Sequence, residues 1–104
     1  MKYLLVLATF TSTLTTFACS TYEAQFSSVV KEVLSIAGEP YACWLKLDIN
    51  LGQSGQTYRP NVICPLDIEE VYNGRIYSNR CNFQPGDEIS GYIIKIGNGR
   101  LELD

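Results

Sequence analysis

Four cysteines, Cys19, Cys43, Cys64 and Cys81, limit what this chain can fold into more than any other feature. The chain has only 104 residues, and a domain of this size buries a modest share of its surface, so covalent bridges matter to its stability. An even number of cysteines in a short chain is typical of a disulfide framework formed in an oxidising compartment. Four cysteines allow three pairings, and the sequence does not choose among them.

The first 18 residues have the layout of a secretory signal peptide. Lys2 precedes an uncharged, partly apolar and threonine-rich segment, and Ala18 is a small residue of the kind at which a signal peptidase cleaves. A membrane anchor is the competing interpretation, but the segment is short and weakly apolar for a span of about 20 residues. We therefore expect residues 1–18 to be removed and residues 19–104 to form one domain of a secreted or periplasmic protein.

Cys19 has a second interpretation. Together with the residues before it, Cys19 loosely resembles the lipid-attachment sequence of bacterial lipoproteins, which would anchor the protein through the Cys19 sulfur. Cleavage after Ser20 is a further alternative. In both cases three cysteines remain, enough for one bridge and one free thiol.

Charge restricts the class of partner. Residues 19–104 contain seven basic and eleven acidic side chains, a net charge of −4, and the basic residues are spread along the sequence. Binding to nucleic acid or to an anionic membrane needs clustered lysine and arginine, so we expect neither partner. The cysteine spacing does not fit a zinc site, no calcium-loop spacing occurs, and the chain has no histidine. We expect no metal ion and no cofactor.

Turn sequences predict the second half of the chain to be β-hairpins. Asn98-Gly99 favours a two-residue type I′ turn between two apolar stretches. That turn predicts three cross-strand pairs, Ile96 with Leu101, Lys95 with Glu102, and Ile94 with Leu103. By the same rule Asn73-Gly74 predicts a second hairpin, with Val71 opposite Ile76 and Tyr72 opposite Arg75. Pro85-Gly86-Asp87 predicts a turn that leads into the last hairpin.

Two more strands flank the segment 51–57. In residues 42–50 one face of the predicted strand is apolar, formed by Cys43, Leu45, Leu47 and Ile49. Residues 58–64 predict another strand, with Val62 and Cys64 on a shared face. Residues 22–37 fit either a helix or a strand, because their apolar positions match a helical stripe while their β-branched content favours a strand.

The order of these segments resembles a five-stranded barrel of the OB type across residues 26–104. The resemblance is one of architecture, and it implies a mainly β fold: a small, closed or partly open barrel of about five strands, with a possible N-terminal helix at residues 22–37. It implies no activity, because one fold supports many functions.

Catalytic motifs are missing from the sequence. Without histidine, neither a serine–histidine nor a cysteine–histidine pair can form. Paired carboxylates can hydrolyse glycosides, and the candidates are Asp67, Glu69, Glu70, Asp87 and Glu88. Glu69 and Glu70 would point to opposite faces of a strand, and Asp87 lies in turn sequence. We therefore expect a protein that is not an enzyme.

Aromatic side chains suggest a binding patch. Tyrosine and tryptophan offer a large rigid contact area with a polar tip, and recognition surfaces are rich in them. The candidates are Trp44, Lys46, Tyr72, Arg75 and Tyr77. The function we expect is that of an exported interaction protein, similar to an inhibitor or an immunity protein. The alternative is a module that binds a small ligand or an oligosaccharide through aromatic stacking.

Overall fold

The computed structural model describes residues 19–49 and 55–104, so the predicted signal peptide lies outside the described residues. The described part of the chain forms six strands and one short helix. They are β1 (Tyr22–Ile36), β2 (Glu39–Leu47), β3 (Thr57–Pro60), α1 (Ile68–Asn73), β4 (Ile76–Ser78), β5 (Glu88–Lys95) and β6 (Leu101–Leu103). No helix within these residues is long and apolar enough to cross a membrane.

Five of the strands close into a barrel. Their hydrogen-bonding order is β1, β2, β4, β6, β5 and back to β1. All neighbouring pairs are antiparallel except β4 and β6, which are parallel. β3 lies outside the ring and pairs with the first half of β1. The predicted mainly β barrel of about five strands is therefore confirmed, with β3 as one additional strand.

The contested segment is a strand rather than a helix. β1 pairs with β5 through its first half and with β2 through its second half, and its register shifts between Val30 and Glu32. Such a bulge bends a long strand, which lets β1 close the barrel. Buried positions alternate at Ala24, Phe26, Ser28 and Val30, the period of a strand. The buried position Ser28 is polar, so a pattern of apolar residues alone does not show this alternation.

Large and small side chains alternate across the inner face of β1 and β5. The opposed residues are Phe26 with Gly91, Ser28 with Ile89, and Ala24 with Ile93. Except for half-buried Gly91, all of them are buried. Because each pair combines one large and one small residue, the two strands fill the barrel interior without overpacking.

The two disulfides join Cys19 to Cys64 and Cys43 to Cys81. The predicted apolar face of β2 is confirmed, since Cys43, Leu45 and Leu47 are buried, as is Ile49 just beyond the strand. Cys43 thus brings its bridge into the core. The sulfur of Cys19 is used in the bridge to Cys64, so lipid attachment at Cys19 and this bridge exclude each other in one molecule.

The last hairpin forms, but its predicted register is wrong by one residue. Lys95 pairs with Leu101 and Ile93 pairs with Leu103, and the loop between the strands is longer than two residues. The Ile96 N–H donates to the Arg100 carbonyl at 3.0 Å, and Gly99 has a φ of +89°. The three-residue loop shifts the pairing, and a shift of one residue exchanges the two faces of a strand. Ile93 therefore faces the core instead of Ile94.

The predicted hairpin at Asn73-Gly74 is wrong, because residues 68–73 form the helix α1. The Asp67 side chain caps this helix by accepting a hydrogen bond from the Glu69 N–H at 3.0 Å. Glu69 and Glu70 lie in its first turn, where negative charge is favourable. These helix-start signals precede the Asn-Gly pair in the sequence and outweigh its preference for a turn.

Gly74 ends α1 at a crowded position, which leads to a testable prediction. A Cβ atom there would lie 2.6 Å from the backbone oxygen of Glu70. We expect Gly74→Ala to lower the free energy of unfolding by about 1–3 kcal/mol, because the backbone must move to relieve the overlap. Gly97→Ala is the control, since a Cβ at Gly97 meets nothing within 4 Å. Equal urea midpoints for the two variants would contradict the prediction.

The predicted turn at Pro85-Gly86-Asp87 is confirmed. Gly86 adopts a φ of +98°, a conformation that favours glycine. The Asp87 N–H donates to the Gln84 carbonyl at 3.0 Å, and the Asp87 carboxylate accepts from the Gln84 N–H at 2.8 Å. The Asp87 carboxylate therefore holds this turn together.

Candidate functional site

Two aromatic rings and two guanidinium groups meet on the outside of the barrel. Trp44 on β2 and Tyr77 on β4 are cross-strand partners, and their rings contact edge to face with centres 5.8 Å apart. The guanidinium carbon of Arg75 lies 5.0 Å from the centre of the Trp44 ring. That of Arg100 lies 4.2 Å from the centre of the Tyr77 ring. We call Trp44, Arg75, Tyr77 and Arg100 the aromatic face.

The strand register explains why these side chains point outward. The flanking pairs, Cys43 with Ser78 and Leu45 with Ile76, are buried in the barrel. Successive side chains on a strand point to opposite faces, so the pair between them must face outward. Arg75, immediately before β4, completes the face beside Trp44.

Carboxylates hold part of the aromatic face in place. The Tyr77 hydroxyl donates a hydrogen bond to Glu39 at 2.7 Å, and this bond raises the pKa of Tyr77. Arg100 donates to Glu102 from Nε at 2.9 Å. Arg75 differs from Arg100, because no carboxylate of the described residues forms an ion pair with it.

A shallow cleft opens beside the aromatic face. It has a volume of about 460 Å³, and it is lined by Trp44, Glu70, Gly74, Arg75, Asn98, Gly99, Arg100 and Leu101. Glu70 on its wall is bound by Lys95, with Nζ 2.6 Å from Oε1, and this bond raises the pKa of Lys95. The cleft therefore combines an aromatic ring, guanidinium groups and hydrogen-bonding oxygens.

The structure brings together three of the five residues predicted as a binding patch. Trp44, Arg75 and Tyr77 are in one cluster. Lys46 lies two residues beyond Trp44 on the outer side of β2, opposite Glu32 on β1. Tyr72 is exposed on α1 and does not line the cleft.

Arg100 is the residue of this surface that the sequence interpretation missed. It follows Asn98-Gly99 directly, and the Arg100 N–H donates to the Asn98 side chain at 2.9 Å. The parallel pairing of β6 with β4 brings it beside Tyr77. That pairing joins segments distant in sequence, so no local pattern points to it.

A second surface is formed by residues 61–65, which we call the braced loop. The Glu23 carbonyl accepts hydrogen bonds from Asn61 at 2.9 Å and from Leu66 at 3.2 Å, and the Glu23 N–H donates to Cys64 at 3.0 Å. The disulfide to Cys19 fixes the same loop covalently. Both ends of the loop are thus fastened to the start of β1.

The braced loop replaces the second half of a predicted strand. β3 ends at Pro60, and the Asn61 side chain then accepts hydrogen bonds from Ile63 and Cys64, both at 2.9 Å. This turn, typical of asparagine, directs the chain away from the sheet. Val62 is 96% exposed and Ile63 is 74% exposed, so the prediction that Val62 and Cys64 share a strand face is wrong.

Two further clefts flank the braced loop. One is about 260 Å³ and is bordered by Arg59, Asn61, Val62 and Tyr92 among others. The other is about 540 Å³ and mostly apolar, lined by Tyr58, Pro60, Pro65, Leu66, Asp67 and Ile68. Tyr58 donates to the Leu66 carbonyl at 2.7 Å. Burial, followed by the nearby Asp67 and Glu70 carboxylates, raises the pKa of Tyr58 far above its usual value.

The carboxylates considered for hydrolysis have structural roles in three cases. Asp67 caps α1, Glu70 binds Lys95, and Asp87 stabilises a turn. Glu69 and Glu70 lie on a helix, so the expectation that they occupy opposite faces of a strand is wrong. Within residues 19–49 and 55–104, no three acidic or cysteine side chains are grouped to hold a metal ion.

The aromatic face with its cleft and the braced loop with its flanking clefts are separate surfaces, since they share no lining residue. Hydrogen bonds hold Tyr77 and Arg100 of the aromatic face, and a disulfide and backbone hydrogen bonds hold the braced loop. The two surfaces therefore offer two independent candidate sites for binding. Compared with known proteins, this chain matches no family model, no curated protein sequence and no solved structure.

Proposed function

We propose that this protein is an exported interaction protein that binds a protein partner through its braced loop. The observation that supports this function is the high exposure of two adjacent β-branched side chains, Val62 and Ile63. Single exposed apolar residues are common, but here they sit on a rigid loop between two clefts. A convex apolar ridge of this kind suits an apolar pocket on another protein.

Rigidity favours binding by the braced loop. A flexible loop loses conformational entropy when a partner orders it, and a loop that is already fixed avoids most of that loss. The bridge from Cys64 to Cys19 and the hydrogen bonds of Glu23 fix the backbone on both sides of Val62 and Ile63. A loop fixed in this way suits an inhibitor-like or immunity-like protein, which acts by occupying a partner's surface.

The compartment we propose is extracellular or periplasmic. The two disulfides fit such an oxidising location. Cleavage after Ala18 would leave Cys19 as the first residue and still allow both bridges, whereas cleavage after Ser20 would remove one partner of the bridge to Cys64. We therefore favour a soluble mature protein that begins at Cys19 over a lipid-anchored form.

Site-specific photo-crosslinking tests the protein-binding function. A photoreactive phenylalanine analogue replaces Ile63 in the full-length protein, which is expressed and exported by its natural host. We expect a crosslink to one defined protein. The matched control has the analogue at Tyr41, which is 86% exposed on β2, and we expect no such crosslink there.

The affinity of the partner found in this way is then measured for the unmodified protein and for a charged variant. Val62→Asp combined with Ile63→Asp is expected to weaken binding by at least about tenfold, because two carboxylates would be buried in an apolar pocket. Both side chains are exposed, so the fold and both disulfides should be preserved. Equal crosslinking from positions 63 and 41, or unchanged affinity of the charged variant, would reject the proposal.

The cleft beside the aromatic face favours a second function, the binding of a small ligand or an oligosaccharide. OB-type barrels bind oligosaccharides and oligonucleotides on their second and third barrel strands and on the loop between the last two strands. Here those elements are β2, β4 and residues 96–100, and they carry Trp44, Tyr77 and Arg100. This analogy of architecture supports a ligand site there, separate from the braced loop.

A further inference from the structure

We propose that the cleft beside Trp44 binds an acidic oligosaccharide, with Arg75 holding the carboxylate of a uronic-acid unit. The inference rests on the second function proposed above and adds the chemical class of the ligand and the residue that selects it. It does not depend on the braced loop, which shares no residue with the cleft.

Arg75 is the cationic group in the cleft that can bind an anionic ligand. All eleven acidic side chains of the protein lie in the described residues, yet none forms an ion pair with Arg75. Arg100, by contrast, is bound to Glu102, and Lys95 is bound to Glu70. Arg75 therefore keeps its fork of N–H donors for a ligand, and this fork matches a carboxylate with two parallel hydrogen bonds.

Trp44 positions the Arg75 guanidinium in advance. The guanidinium lies over the indole ring at 5.0 Å, an arrangement that stabilises a cation by its attraction to the ring. The ring is itself held by its edge contact with Tyr77. An arginine that is already oriented loses less side-chain entropy when it binds an anion.

The remaining lining favours a saccharide over an acidic peptide. Glu70 and Asn98 add oxygen acceptors to the cleft wall, and sugar hydroxyl groups are donors that pair with such acceptors. The ionised side chains of a glutamate peptide are acceptors only, so they cannot donate hydrogen bonds to Glu70 or Asn98. A uronic-acid chain carries one carboxylate for each ring and surrounds it with hydroxyl groups.

Trp44 fluorescence provides the assay, because Trp44 is the only tryptophan of the protein. The full-length protein with both disulfides formed is titrated with a tetramer of galacturonic acid. The same titration is made with the neutral tetramer of galactose and with a tetramer of glutamate. We expect a saturable change in emission with the galacturonate tetramer and at least tenfold weaker binding of the other two.

Two arginine variants separate a specific contact from general charge. Arg75→Gln should weaken binding of the galacturonate tetramer by about tenfold or more, since a charge-assisted pair is lost. Arg80→Gln is the matched control, because Arg80 also lies over an aromatic ring, that of Phe83, but does not line the cleft. We expect Arg80→Gln to bind like the unmodified protein.

The outcomes distinguish this inference from the function on which it rests. Equal binding of the neutral tetramer would overturn the acidic ligand and leave a saccharide site standing. Stronger binding of the glutamate tetramer would identify an acidic peptide instead and overturn the saccharide. Failure of all three probes to change amide or indole NMR signals of the cleft would overturn both the inference and the ligand-binding function. An equal loss of affinity for the galacturonate tetramer in Arg75→Gln and Arg80→Gln would reject Arg75 as the residue that selects the acidic ligand.

Discussion

Replacing Cys43 and Cys81 together with alanine is expected to lower the free energy of unfolding by about 4 kcal/mol. The bridge joins residues 38 positions apart, and closing a loop of that length restricts the unfolded chain by about this amount. Small domains are stable by only about 5–15 kcal/mol, so the loss is a large share of the total. Urea unfolding followed by tyrosine and tryptophan fluorescence measures it.

The second bridge supplies the comparison for this prediction. Cys19→Ala with Cys64→Ala opens a loop of similar length, 45 positions, so its entropic effect is also about 4 kcal/mol. Cys43 is only 2% exposed, whereas Cys19 and Cys64 are half-buried. Loss of the bridge between Cys43 and Cys81 should therefore lower the free energy of unfolding more than loss of the bridge between Cys19 and Cys64. A change below about 1 kcal/mol for the Cys43 and Cys81 variant would contradict the structure of the core.

Phe26→Ala is expected to lower the free energy of unfolding by about 3–5 kcal/mol. Phe26 is 2% exposed and lies opposite Gly91, the inward position of β5 that has no side chain. Its ring therefore occupies space that no neighbour on β5 can fill after truncation. Because β1 is hydrogen-bonded to β3 as well as β5 at this point, the strands cannot collapse into the cavity easily.

Tyr41→Ala is the control for Phe26→Ala. It removes an aromatic ring from β2 that is 86% exposed, so we expect a change within about 0.5 kcal/mol. Both variants are measured by urea unfolding with intact disulfides. Similar midpoints for the two would show that Phe26 is not a central core residue, and the proposed packing of the barrel would be wrong.

The two binding surfaces arise in different ways. The aromatic face depends on the pairing of β2 with β4 and on the arrival of Arg100 beside Tyr77. The braced loop depends on one asparagine turn, one disulfide and the backbone of Glu23. Variants of either surface should leave the other intact, and separate assays can therefore assign each function.

Local patterns predicted the parts of the fold that depend on neighbouring residues. The alternation of Cys43, Leu45 and Leu47 identified the inner face of β2, and Pro85-Gly86-Asp87 identified a turn. The aromatic residues of the sequence predict a patch of Trp44, Lys46, Tyr72, Arg75 and Tyr77, because recognition surfaces are rich in such side chains. In the structure the side chains of Trp44, Arg75 and Tyr77 are in contact, although the predicted hairpin at Asn73-Gly74 does not form.

Predictions failed where two local signals competed. Asp67 and two glutamates start a helix just before Asn73-Gly74, and a hydrogen-bonded helical turn replaced the hairpin. Gly97 precedes Asn98-Gly99, and the longer loop moved the pairing by one residue. In both cases the choice depends on which alternative also packs its apolar residues, such as Val71 and Ile93, against the core.

The sequence by itself determined the β-rich class, the buried face of β2 and the oxidised character expected of four cysteines, because these follow from residue type and short-range periodicity. Only the tertiary structure decided which cysteines pair, where β1 bends and which side chains gather on the outer surface. Those features join residues far apart along the chain, such as Cys43 with Cys81 and Tyr77 with Arg100. Closure of the barrel sets their distances, and no local pattern contains that information.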